Sequence, residues 1–116
     1  IFKGENIQVR PWSERHSLVA DSDLIVNTTN QGMTGQTPLE LSLDSAKSDT
    51  IVADIIYVPL ETSLIAEAKL RGLRTVGGLG MLLRHPRTAW KLWFGIDPDI
   101  SEHLRSIMER DINRDD

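Results

Sequence analysis

The chain has 116 residues and 13.0 kDa, 40% hydrophobic and 26% charged, with a mean hydropathy of −0.24, so it holds one globular domain's worth of residues. No apolar run approaches the ~20 residues of a membrane span, no basic-then-apolar leader is read at its start, and the absence of cysteine excludes disulfides, thiolate metal sites and a cysteine nucleophile. The net charge of −4 resides in the last twenty residues, where seven acids face three arginines, whereas residues 1–96 carry ten bases and ten acids.

In chain order, Ile7-Gln8-Val9 alternates apolar with polar and predicts a short strand closed by Pro11. Ser13 is the expected cap of a short helix that turns Leu18 and Val19 inward. Leu24-Ile25-Val26 is a continuous apolar run, the pattern of a strand buried on both faces. It stops at Asn27-Thr28-Thr29, and a loop with Gly32, Gly35 and Pro38 follows. Ile51-Val52-Ala53 and Ile55-Ile56, on either side of Asp54, predict a second buried strand ending at Tyr57 and Pro59. Thr62 or Ser63 caps a helix carrying Leu64, Ile65 and Ala68, and Gly72 suits its stop. Arg74-Thr75-Val76 is a third strand running into Gly77-Gly78. Leu82, Leu83, Pro86, Ala89, Trp90, Trp93 and Phe94 then recur at helical spacing, with both tryptophans read as core and Pro86 requiring a kink or a restart. Ser101 caps a last helix with an apolar stripe of Leu104, Ile107, Met108 and Ile112.

Buried strands separated by helices imply parallel βαβ units in an α/β sheet. A compact chain of this mass leaves about 6,300 Å² accessible. In such sheets ligands bind outside the carboxyl ends of the strands. Here those ends are Asn27-Thr28-Thr29, Asp54 with Tyr57, and Gly77-Gly78, which predicts a binding rim. No G-x-G-x-x-G, G-x-x-x-x-G-K-[ST] or G-x-S-x-G motif occurs, and His16, His85 and His103 lack metal-ligand spacing. Asp54 suits a structural acceptor for backbone N–H groups better than a base of raised pKa. His85, beside Pro86, reads as a helix cap or an exposed residue, or as a ligand contact. The run from Lys69 to Lys91, with no acid in it, reads as solvated helix faces rather than an anion site. The low pI and short basic run argue against a nucleic-acid partner.

Three segments resemble motifs of the shikimate dehydrogenase family. Val26-Asn27-Thr28-Thr29-Asn30-Gln31-Gly32-Met33 is similar to its N-[TA]-T-x-x-G-M. Asp54-Ile55-Ile56-Tyr57-Val58-Pro59-Leu60-Glu61-Thr62-Ser63-Leu64 is similar to D-x-x-Y-x-P-x-x-T-x-L, and Val76-Gly77-Gly78-Leu79-Gly80-Met81-Leu82-Leu83 to [DG]-G-L-G-M-L-[VL]. Trp93-Phe94-Gly95 follows at the expected distance. The resemblance covers about residues 5 to 98 and extends only to the later half of the family's Rossmann-like NADP-binding domain. It implies residues 1–98 as a partial cofactor domain and 99–116 as a C-terminal helix with an acidic tail. It implies a parent enzyme, cytoplasmic, that reduces 3-dehydroshikimate to shikimate with NADPH on the route to aromatic amino acids. The family's glycine-rich phosphate loop, its arginine segment for the 2′-phosphate, its catalytic Lys–Asp pair and its N-terminal substrate domain all lie ahead of the segment matching Ile1. The chain, which starts without Met, is therefore expected to be a piece with no catalytic residue of its own and no activity alone.

By motif position, the resemblance implies Asn27, Thr28, Thr29, Ile55, Gly78 and Met81 at the NADP cofactor, and Tyr57 and His85 at a shikimate-like acid. Gly77 stands where the family has an aspartate, and His85 where it has a glutamine. An imidazole differs from an amide in donor and acceptor count and changes with pH, which leaves shikimate, quinate or another such acid as the substrate. A non-catalytic α/β module binding a small acid or a protein is the alternative reading. With the strand at Leu24 at the edge of an incomplete sheet, the chain is expected to self-associate through that edge, or to cover it with Ile7–Val9.

Overall fold

A computed structural model describes residues 6–114; residues 1–5 and the last two residues of the acidic tail, Asp115 and Asp116, lie outside that range. A 3₁₀ turn, Trp12–Glu14, leads into helix α1, Arg15–Asp21. Strands β1, Leu24–Asn27, and β2, Ile51–Asp54, follow, then helix α2, Ser63–Leu70, and strand β3, Arg74–Val76. Helices α3, Leu79–Phe94, and α4, Glu102–Ile112, end the described chain. The three strands form one parallel sheet in the order β1-β2-β3. The chain is thus α/β, as the apolar runs require.

The register sorts the side chains. Ile25 lies beside Val52 and Val52 beside Thr75, while Val26, Ala53 and Val76 form the next row. Because neighbours in a row share a face and successive rows alternate, Ile25 and Val52 face one side, and Leu24, Val26 and Val76 the other. The first side is the core: Val52 is fully buried with Val19, Leu43, Leu64, Ile65, Ala68 and Leu73 around it. On the second side Leu24 and Val76 are each 57% exposed. The strand expected to be buried on both faces is therefore buried on one, because the helices needed to cover the other are not among the described elements.

Parallel strands need a crossover of a dozen or more residues, and the two crossovers differ. Between β2 and β3 it is α2. Its N-terminus is capped by Thr62, whose hydroxyl accepts from the Ile65 N–H at 3.4 Å, and its exit turns at Gly72 with φ of +73°. Between β1 and β2, residues 28–50 form turns without a helix, folding Leu39, Leu41 and Leu43 onto the core. One βαβ unit is thus present, β2-α2-β3, and the β1–β2 connection is the loop that Gly32, Gly35 and Pro38 predict.

Four further expectations need correction. Residues 7–9 form no strand, and Val9 is 91% exposed; three residues without a ladder partner are not held as a strand. Ser13 caps nothing: the turn starts from Pro11, whose carbonyl accepts from the Glu14 N–H at 3.0 Å, and α1 follows it without a side-chain cap. The second strand ends at Asp54 rather than continuing through Ile55-Ile56 to Tyr57. Trp90 and Trp93 are exposed rather than core. α3 is anchored at its start by buried Leu79, and its later aromatics find mainly each other, with Trp90 and Phe94 ring centroids 5.1 Å apart. Pro86 sits inside α3, which runs unbroken through it. Ser101 does cap α4, accepting from the Leu104 N–H at 3.2 Å. No helix among the described residues is long and apolar enough to cross a membrane.

Candidate functional site

The site grows from the carboxyl ends of the strands. Asn27 closes β1 and lies in register with Asp54, which closes β2. Both are buried, at 5% and 3% exposure. Buried polar groups require partners, and these two have them. The Asn27 amide donates to Asp54 Oδ2 at 3.2 Å and to the Gln31 carbonyl at 3.1 Å. Its oxygen accepts from the Thr29 N–H at 3.0 Å and the Thr29 hydroxyl at 2.7 Å. Asp54 Oδ1 accepts from the Ile56 N–H at 2.9 Å, and Oδ2 from the Thr62 hydroxyl at 2.8 Å. Asp54 is therefore a structural acceptor, tying two strand ends to the N-terminus of α2.

This network fixes the turn after β1. Asn27 is fully occupied inside the turn and presents no free polar group outward. Thr29 both donates to Asn27 and accepts from the Gln31 N–H at 3.1 Å. Thr28 is exposed, and Thr28 and Thr29 border a groove of about 410 Å³ beside β1. At the end of β2, Ile55 and Tyr57 are half-buried, and the Tyr57 hydroxyl has no protein partner among the described residues.

β3 reaches the same rim through Gly77 and Gly78. The Gly78 N–H donates to the Ile56 carbonyl at 3.2 Å, tying the start of α3 to the exit of β2. A Cβ at Gly78 would stand 2.3 Å from the Ile55 carbonyl oxygen and 2.4 Å from that of Ile56. The close backbone approach expected at this glycine is thus to the chain's own β2 exit. α3 opens there without a side-chain cap. Met81 and His85, both exposed, follow on it four residues apart and so on one face. His85 lies well inside α3 and so is not a helix cap. The structure brings Asn27, Thr28, Thr29, Ile55, Tyr57 and Gly78 to one end of the sheet, and Met81 and His85 follow on α3, which starts from that end.

The basic run is largely paired. Lys69 bonds Glu61, Arg71 bonds Asp44 and Glu67, and Arg87 and Lys91 both reach Asp97. The Arg87 guanidinium, and then Lys91, hold the Asp97 carboxyl below the usual carboxylate range. Among the described residues no group of three His, Asp or Glu is gathered to hold a metal ion. The sequence reading missed the reach of Thr62 to Asp54; a Thr eight residues after a strand-end Asp, at a helix start, was the available signal.

No family model matches the chain. It is 45% identical over 109 residues to the NADP(+) shikimate dehydrogenase of Rhodopseudomonas palustris strain TIE-1, covering 94% of this chain and 39% of that protein. Among solved structures it is similar to shikimate 5-dehydrogenase from Thermus thermophilus, in complex with NADP(H) and shikimate. That match has a TM-score of 0.66 and 31% identity, over 83% of this chain and 35% of the other. It is also similar to a quinate dehydrogenase from Corynebacterium glutamicum in complex with NAD, with a TM-score of 0.69 and 28% identity over 84% and 33% of the two chains. The chain spans about two-fifths of the length of the curated relatives it matches.

Proposed function

We propose that this chain, which is similar to shikimate dehydrogenases over the part of their length that it spans, serves as the later half of the Rossmann-like cofactor domain of an NADP-dependent enzyme interconverting 3-dehydroshikimate and shikimate. On this reading residues 1–98 belong to the cofactor domain and 99–116 form the C-terminal helix and tail. The observation that carries the reading is the rim: the three segments matching the family converge at the carboxyl end of one parallel sheet, the general ligand edge of such sheets.

The rim suits one end of a dinucleotide. Half-buried Ile55 and exposed Met81 offer apolar surface for a flat ring, and exposed Thr28 offers a hydroxyl at the turn that Thr29 helps to hold. The phosphates are a different matter: β1 runs into an Asn-anchored turn, and no helix N-terminus follows it among the described residues. The chain therefore supplies the nicotinamide side of the site. NADPH, when bound, would bring the hydride. Asn27 and Asp54 act as positioning residues that hold the Thr28–Thr29 turn, and Gly78 sets the start of α3 against Ile56. Tyr57, with a free hydroxyl at the strand end, donates to the substrate carboxylate. His85 stands on α3 as a second contact that selects between related hydroxy-acids, and the quinate dehydrogenase relationship is consistent with such a choice.

The test is a chimera in which these residues replace the matching 39% of the Rhodopseudomonas palustris relative. A folded chimera that reduces NADP⁺ with shikimate supports the reading. A folded chimera that binds NADPH but turns over neither shikimate nor quinate overturns the substrate, and one that does not bind NADPH overturns the cofactor.

A further inference from the structure

Thr62 lies behind the rim, 2% exposed, and both bonds of its hydroxyl go inward. The hydroxyl donates to Asp54 Oδ2 at 2.8 Å and accepts from the Ile65 N–H at 3.4 Å. The bond to Asp54 is of ordinary length, whereas the one that caps α2 is long. Serine, asparagine, aspartate and glycine all serve as helix caps, because a cap asks at most for an acceptor. The bond to Asp54 asks for a donor, which ionised aspartate and glycine side chains lack. The hydroxyl at this position therefore answers to Asp54 more than to α2. From Asp54 Oδ2 the network passes to the Asn27 amide at 3.2 Å. From the Asn27 oxygen it passes to the Thr29 N–H and hydroxyl, at 3.0 and 2.7 Å. Asp54 and Asn27 are 3% and 5% exposed, so water does not replace a bond lost between them and Thr62. Thr62 also flanks the loop that continues the turn: a Cβ built at Gly32 would stand 3.8 Å from Thr62 Cβ.

We propose that Thr62 is a positioning residue for cofactor binding, which touches neither dinucleotide nor acid and holds the Thr28–Thr29 turn through Asp54 and Asn27. The inference rests on the reading of that turn as the border of the cofactor. Asp54 divides its oxygens between two tasks. Oδ1 accepts from the Ile56 N–H at 2.9 Å and so fixes the β2 exit, where Ile55 and Tyr57 stand. Oδ2 takes Thr62 and Asn27 together. With the Thr62 hydroxyl in place, Oδ2 is pinned from the α2 side, and the Asn27 amide meets an acceptor that cannot turn away. Without it, the carboxylate swings about its bond to Ile56, Asn27 follows, and the turn loosens. The β2 exit keeps its anchor in both cases. Thr62 therefore acts on the cofactor side of the rim and not on the acid side.

The experiment uses the chimera with the Rhodopseudomonas palustris relative, carrying Thr62→Val, Thr62→Gly or Thr62→Ser. The NADPH dissociation constant is read from the fluorescence of NADPH itself, without turnover, and KM for shikimate is measured beside it. Thr62→Val should raise the NADPH dissociation constant roughly threefold to thirtyfold, the range for a substitution that acts on a site through a network. The shikimate KM should stay unchanged. Thr62→Gly removes the donor at little cost to the cap and should do the same, which keeps the test decisive if Thr62→Val does not fold. Thr62→Ser keeps both bonds and should bind NADPH as the unsubstituted chimera does. Unchanged NADPH binding in the folded valine or glycine variant overturns the proposal and leaves the cofactor reading standing. A serine variant as weak as the valine one also overturns it, as does a shikimate KM that rises by the same factor. An unsubstituted chimera that binds no NADPH removes the cofactor reading itself, and this inference with it.

Discussion

A methyl group at Gly78 would meet two carbonyl oxygens of the β2 exit, and neither backbone can yield without moving the rim. Gly78→Ala should therefore destabilise the fold by roughly 2–3 kcal/mol, in the range of other overpacking changes. Gly80, two residues on in α3, has nothing within 4 Å of its added Cβ, and Gly80→Ala should stabilise by up to about 1 kcal/mol through helix propensity. Urea unfolding of the two variants gives the contrast; equal effects would mean the close approach at Gly78 is absent. The second residue-scale feature is the carboxylate of Asp54, with donors from Asn27, Ile56 and Thr62. Asp54→Asn leaves one acceptor oxygen for these donors and turns an amide toward the others, a loss of about 2–3 kcal/mol for hydrogen bonds to a charged group. The same unfolding measurement checks it, and a silent Asp54→Asn would deny the network its structural role. Tyr57 has the opposite character, its hydroxyl free in this chain. In the catalytically complete chimera, Tyr57→Phe should lower kcat/KM by roughly tenfold to a hundredfold, as for a lost hydrogen bond to a carboxylate. An unchanged kcat/KM removes Tyr57 from the site.

Between elements, the segment joining α3 to α4 is held by Asp97, which bonds Arg87 and Lys91 of α3. Its carboxyl is held below its ordinary range, first by the hydrogen bond from Arg87. Below the unfolded value the unfolded chain takes up protons that the folded one refuses. The contribution of this contact is thus present above the unfolded carboxylate pKa and is lost as pH falls through the folded one. Protection of the last turns of α3 against amide exchange should drop more steeply between about pH 5 and pH 2 in the native chain than in Asp97→Asn. Salt should narrow the difference, because the pair is exposed to solvent. Identical acid profiles for the two proteins would show that Asp97 does not fasten the junction. The two helices meet around an apolar cleft of about 350 Å³ lined by Leu82, Pro86, Trp90 and Leu104, so their contact is loose and such small terms matter to it.

At the scale of the molecule, the Cα radius of gyration is 16.5 Å, against about 13 Å for a compact chain of this length. The opened shape and the exposed second face of the sheet have one cause: a three-stranded parallel sheet offers two faces, and α2, α1 and the residue 28–50 loop serve one. We expect the chain alone to show no dehydrogenase activity, since a rim without a phosphate cradle or an acid–base pair positions nothing for hydride transfer. Shikimate-dependent NADPH formation by the purified chain near an ordinary enzyme rate would overturn this. Much of this architecture was legible along the chain. The apolar runs at Leu24, Ile51 and Arg74, the caps Thr62 and Ser101 and the turn at Gly72 are local signals, decided by neighbouring residues, and they specify a parallel α/β sheet with its rim. The family motifs name the candidates for that rim. Burial is not local. Leu24-Ile25-Val26 carries the apolar content of a central strand, and Trp90 and Trp93 that of a core, yet whether they are covered depends on what packs against them from elsewhere. Likewise the hydrogen bonds of Asn27 and Asp54 join residues 27 and 54, far apart in sequence, through the register of β1 and β2. The sequence by itself located the three strands of the sheet and the helices that follow them; only the tertiary structure decided that the isolated run at Ile7–Val9 forms no strand, which apolar faces are buried and which polar groups are already satisfied, because all of these depend on contacts between distant segments.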